Sequence, residues 1–159
     1  MDKFVKFIAR FSAAVSTICI AALAITVASQ VFFRKVLNQS LTWTDEYGPF
    51  MLVWLTLFGA VAALYDKRHL AITALVERLK GTAKHAVVII SNLCILIFVL
   101  VLFWYGIPMV LQLMNINAVS IPIPKAYIYA VIPFTSICCA IVIIDAVIKE
   151  FKLMLRKEE

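Results

Sequence analysis

Four stretches of the chain, residues 11 to 33, 47 to 65, 85 to 124 and 126 to 144, contain no Asp, Glu, Lys or Arg. A helix needs about 20 apolar residues to cross roughly 30 Å of hydrocarbon. The pattern therefore predicts an all-α integral membrane protein with four transmembrane helices, at about 11–33, 47–65, 86–114 and 126–147, in one membrane domain covering 1–159. Between spans two and three the pattern changes. Ile72, Leu75, Val76 and Leu79 recur at i, i+3, i+4 and i+7 while Glu77, Arg78 and Lys80 fall elsewhere, and Gly81 follows. Such a segment, about 70–80, is expected to lie in the headgroup plane as a short amphipathic helix, or else to extend span three into the cytoplasm.

The same pattern sets local expectations. Thr42 and Thr44 stand before span two, with Asp45 and Glu46 in its first turn, so a threonine cap and two acids at the positive dipole end are expected there. Tyr47-Gly48-Pro49 follows, and a proline in a first helical turn is tolerated. Gly59 and Ala63 have the small-xxx-small spacing of a helix-helix contact. Gly106 and Pro108 are expected to kink span three, and Pro133 to bend span four in its outer half. Asn38, Gln39 and Ser40 supply turn chemistry after span one.

Composition agrees. The chain is 64% hydrophobic and 15% charged, with mean hydropathy +1.01, against about 45–50% and about 25% in soluble domains. The formal charge of +6 at first suggests a polyanion partner, but its distribution points to topology. Of 15 Lys and Arg, 12 lie in the two tails and the connection from 66 to 84, and only Arg34, Lys35 and Lys125 lie in the other two connections. The positive-inside rule then places both termini and the middle connection in the cytoplasm. No nucleic-acid partner is expected; phospholipid is. The first apolar run is too long for the roughly 7–15-residue core of a signal peptide, so it is expected to stay as a span. Cys19, Cys94, Cys138 and Cys139 all fall within apolar spans without a CxxC, the placement of reduced structural thiols.

Little chemistry is on offer. Ion coupling normally needs an ionisable group inside the membrane, and none stands at mid-depth. Asp145 is the deepest acid, and Lys149 four residues on makes an ordinary helical pair. His69 and His85, the two histidines, lie outside the spans, where they cannot hold a buried haem as axial ligands. No zinc, triad or phosphate-loop constellation occurs. The chain is expected to be no enzyme and to hold no cofactor or metal. What remains is polar residues at the faces: Arg34 and Lys35 against Asp45 and Glu46, either as a local ion pair or, with Trp43, as a docking surface, and Asp66, Lys67, Arg68 and His69 as a polar turn. A self-sufficient homo-oligomeric four-helix transporter or channel is the alternative, with Ser91, Asn92 and Thr135 as a thin polar stripe.

The stretch from Val31 to Ile72 resembles the small integral-membrane subunit, often called DctQ, of tripartite ATP-independent periplasmic (TRAP) transporters. The resemblance rests on Arg34 at the end of span one and on Thr42-Trp43-Thr44-Asp45-Glu46 opening span two. Gly59 to Ala63 and the turn Arg68-His69-Leu70 continue it, and Pro122, Pro124 and Pro133 match more loosely at the entry to span four. The resemblance implies a multi-pass protein of the bacterial inner membrane that partners a large membrane subunit one to one. The large subunit carries sodium and an organic anion such as a dicarboxylate or sialic acid, delivered by a periplasmic substrate-binding protein. The small subunit is implied to be scaffold. Arg34, Trp43, Asp45, Glu46, Gly59, Ala63, Arg68 and His69 are its candidate partner-interface residues.

Overall fold

The computed structural model describes residues 2–38, 42–66, 82–118 and 123–155. They form α1 (Asp2–Val36), α2 (Thr42–Tyr65), α3 (Thr82–Gln112), a 3-10 turn (Leu113–Asn115), the short α4 (Lys125–Tyr129) and α5 (Val131–Leu155). Four of these helices are long and apolar enough to cross a membrane, so the four spans read from the sequence are present. The amphipathic segment at 70–80 lies outside the described residues.

Helix α1 is longer than its uncharged stretch. It starts at Asp2 instead of near residue 11, because Lys3, Lys6 and Arg10 are good helix formers that interrupt apolarity without interrupting the helix. Val5, Ser12, Cys19 and Thr26 lie seven residues apart and are all buried. This heptad row of mostly small side chains lets α1 lie close along α2. After Val36 the chain turns through Asn38 at φ 49°, a left-handed conformation that asparagine tolerates and that commonly ends a helix.

Helix α2 begins at Thr42, so Thr44 stands inside its first turn, and Pro49 lies about two turns in, not in the first turn as expected. Its missing N–H leaves the Asp45 carbonyl without its usual helical donor. Helix α3 runs through Pro108 to Gln112. Span four is two helices, since the ladder is interrupted at Ala130. Ala130 N–H donates to Ala126 O at 2.8 Å and Phe134 N–H to Ala130 O at 3.4 Å, while Pro133 has no proton to offer Tyr129. An antiparallel bridge between Asn117 and Pro124 joins the end of α3 to the start of α4, held by Lys125 N–H to Ile116 O at 2.8 Å and Ala118 N–H to Ile123 O at 3.1 Å.

The helices pack around α5. Helix α1 lies against α2, α2 against α5, and α5 against α3, whereas α1 meets α5 only slightly. The buried cluster draws Val5 from α1, Val61 from α2, Val99 from α3 and Cys139, Val142 and Ile143 from α5. Gly106 is buried where α3 crosses α5. A Cβ there would stand 3.2 Å from Ile132 Cγ2 and 3.5 Å from Pro133 Cδ. This glycine, expected to serve a kink, thus permits a close approach of two helices.

Candidate functional site

The residues singled out at the start of span two organise one side of α2. Trp43, Tyr47, Phe50, Trp54 and Phe58 recur at i, i+4, i+7, i+11 and i+15, so their rings form a ladder on one helical face. Trp43 meets Tyr47 edge to face at 6.2 Å, and Trp54 meets Phe58 at 6.0 Å. The ladder ties α2 to its neighbours. Phe50 contacts Tyr129 at 6.2 Å, and Phe58 contacts both Phe11 of α1 at 6.2 Å and Phe134 of α5 at 6.3 Å. Trp54 Nε1 donates to Ile128 O at 3.0 Å, beside the helix break. Sequence reasoning missed this ladder, although aromatic periodicity along 43–58 was the signal that could have found it.

At its outer end the ladder becomes accessible: Trp43 is 46% exposed whereas Phe58 is 4% exposed. Thr44 is buried and Glu46 half-buried, and neither lacks an interaction. Asp45 has a described backbone only. Arg34 and Lys35, both exposed in the last turn of α1, do not stand level with these acids. Phe11 lies beside Phe58, and a Cβ on Gly48 would be 4.0 Å from Leu23 Cδ1, so Glu46 is alongside residue 24 or so of α1. Arg34 is about ten residues further on, ~15 Å along the axis. Among the described residues no ion pair joins Arg34 or Lys35 to Glu46. The basic end of α1 therefore overhangs the start of α2.

The opposite side of α2 is smooth. Pro49, Leu52, Thr56 and Ala60 are exposed, Gly59 and Ala63 half-buried, and a Cβ on Gly59 would meet nothing within 4 Å. At Gly59, then, no described helix of this chain closes on the small-xxx-small pair. Arg68 and His69 lie outside the described residues.

Several polar side chains within the spans turn back on their own helices, while Ser12 Oγ is buried without a hydrogen-bond partner. Thr26 donates to Ala22 O at 2.8 Å, Asn92 to Val88 O at 2.9 Å, Thr135 to Val131 O at 2.7 Å and Ser136 to Ile132 O at 2.8 Å. Hydroxyl and amide groups satisfied in this way need no water or solute. Asp145, 5% exposed, pairs with Lys149 four residues on. Among the described residues no group of three or more His, Cys, Asp or Glu could hold a metal ion.

The start of α2 thus presents an exposed Trp43, and its far side an open surface at Gly59. Residues 23–153 match the family described as tripartite ATP-independent periplasmic transporters, DctQ component. Two proteins of Haemophilus influenzae, both described as TRAP transporter small permease proteins, are similar to the chain. One is 25% identical over 157 residues, covering 94% of this chain and 92% of its own length. The other is 30% identical over 87 residues, 53% of this chain and 54% of its own. The match along most of its length, through spans the structure shows as helices, makes this chain a member of the DctQ family of small permease subunits of TRAP transporters.

Proposed function

We propose that the chain is the static scaffold partner of a large membrane subunit that carries sodium and an organic anion, a dicarboxylate, sialic acid or similar, delivered by a periplasmic binding protein. It has no substrate site of its own. It sits in the bacterial inner membrane with both termini in the cytoplasm, Trp43, Asp45 and Glu46 facing the periplasm, and an interfacial helix at 70–80. The observation that carries the reading is the state of the span polar groups: Thr26, Asn92, Thr135 and Ser136 are each bonded to a carbonyl of their own helix. A solute path needs polar groups that exchange partners, and an ion-coupling site needs a carboxylate or similar group at depth. The open space beside Gly59 supports the partner half of the proposal, since close helix approach in lipid favours small residues.

The test is reconstitution. Co-expressed with the large subunit, the chain should purify as a one-to-one complex that takes up substrate in liposomes when the binding protein and sodium are supplied. The chain alone should give no uptake. Uptake by the chain alone would refute the scaffold role.

A further inference from the structure

The first three turns of α1 carry three distinct stripes. Val5, Ala9 and Ser12 are buried, at 1%, 4% and 1% exposure. Beside them Phe4, Phe7 and Phe11 are exposed at 60%, 66% and 49%. Lys3, Lys6 and Arg10, at the same i, i+3, i+7 spacing, are exposed as a third stripe, next to the aromatic one. Among the described residues none of these three cations is in an ion pair.

Packing fixes the depth of this region. Val5 belongs to the cluster containing Val142 and Ile143 of α5, just before Asp145 and Lys149, where α5 leaves its apolar stretch. Lys3 and Lys6, on either side of Val5, thus stand near the boundary of the apolar layer. Arg10 is about 6 Å further in than Lys6. A long helical side chain leans toward the helix N-terminus, so its guanidinium returns toward the level of Lys6 while its stem stays among apolar surroundings. The three cations thus form one exposed stripe about 10 Å long, about 100° round the helix from three exposed phenyl rings.

We infer that this surface holds an anionic phospholipid of the adjacent leaflet, its phosphate between Lys3, Lys6 and Arg10 and an acyl chain along Phe4, Phe7 and Phe11. Charge complementarity selects the headgroup, and the continuity of the basic and aromatic stripes selects an amphiphile in which phosphate and hydrocarbon are joined. The inference does not depend on the scaffold role.

Native mass spectrometry of the full chain in neutral detergent tests it, with phosphatidylglycerol and phosphatidylcholine of the same acyl chains titrated separately. The chain should retain phosphatidylglycerol in preference to phosphatidylcholine. The triple variant Lys3→Gln, Lys6→Gln, Arg10→Gln should bind phosphatidylglycerol about tenfold more weakly or worse, because each basic residue near a membrane surface adds to anionic-lipid attraction, with phosphatidylcholine binding unchanged. Should the triple variant not fold, Lys6→Gln alone should weaken phosphatidylglycerol binding severalfold, and Lys6→Arg should restore it. Arg34→Gln with Lys35→Gln, at the other end of α1, should leave it intact. Equal retention of the two lipids, unchanged binding in the folded charge variants, or an equal loss in the Arg34 and Lys35 variant would overturn the inference.

Discussion

Gly59 and Gly106 are both interior helical glycines, and alanine at each separates backbone propensity from packing. In a helix interior, Gly→Ala gains about 1 kcal/mol by reducing backbone freedom. At Gly59 the added Cβ meets nothing within 4 Å, so the gain stands, and the melting temperature should rise by about 2–4 °C for a chain of this size. At Gly106 the same atom arrives 3.2 Å from Ile132 Cγ2, 3.5 Å from Pro133 Cδ and 3.7 Å from Pro133 N. Ile132 is stiff at χ1 and the proline ring is fixed, so α3 and α5 must move apart. Overpacking of this kind costs about 1–3 kcal/mol, which cancels or exceeds the propensity gain. Gly106→Ala should therefore leave the melting temperature unchanged or lower it by up to about 4–8 °C, and Gly106→Leu should lower it further. Thermal unfolding of the full chain in detergent, followed by near-ultraviolet circular dichroism, reads both variants against the same baseline. If Gly106→Ala raised the melting temperature as much as Gly59→Ala, the close approach of α3 and α5 would be wrong.

The remaining predictions concern contacts and charges. Gly59→Leu should leave the isolated chain's stability near wild type yet reduce co-purification of the large subunit, since only an external helix would meet the new side chain. Trp54→Phe keeps a ring against Phe58 but removes the donor to Ile128 O, and should cost about 0.6–1.7 kcal/mol in reversible unfolding, the range of interhelical hydrogen bonds in membranes. Trp43→Ala or Glu46→Ala should impair uptake by the assembled transporter without changing the melting temperature of the small subunit by more than a few degrees; near-normal uptake would leave these residues a local role only. Asp145→Asn should retain most uptake, because Asp145 pairs with Lys149 of its own helix where α5 leaves its apolar stretch; complete loss of uptake would make Asp145 a coupling group.

The four spans were legible because an uncharged apolar run of about 20 residues is the length a bilayer demands of a helix; of the candidate site, the exposure of Trp43 at the start of α2 agrees with its reading as an aromatic at a span end. The arrangement of the helices was not. In a soluble bundle the apolar stripe names the buried face, but here Phe134 and Ile137 on α5 are exposed while Val142 and Ile143 are buried, and both sets are equally apolar because lipid and neighbouring helices ask for the same side chains. The length of α1 was hidden because Lys3, Lys6 and Arg10 end an apolar run without ending a helix. The crossing at Gly106 was hidden because glycine beside a proline suits a kink as well as a crossing, and only the position of Ile132 reveals the second.

The central place of α5 bears on how the protein is made. Helices α1 and α2 pack as a hairpin, but α3 finds its main surface on α5, the last of these four spans to leave the ribosome. Until that final segment inserts, α3 has no fixed seat beside the hairpin, and the ring contact of Phe134 with Phe58 and the Trp54 bond to Ile128 are unmade. Closure of the four spans therefore waits for the last of them. A chain cut short before Val131 should reach the membrane as a loose hairpin and a stray helix, a form that quality-control proteases can recognise and clear.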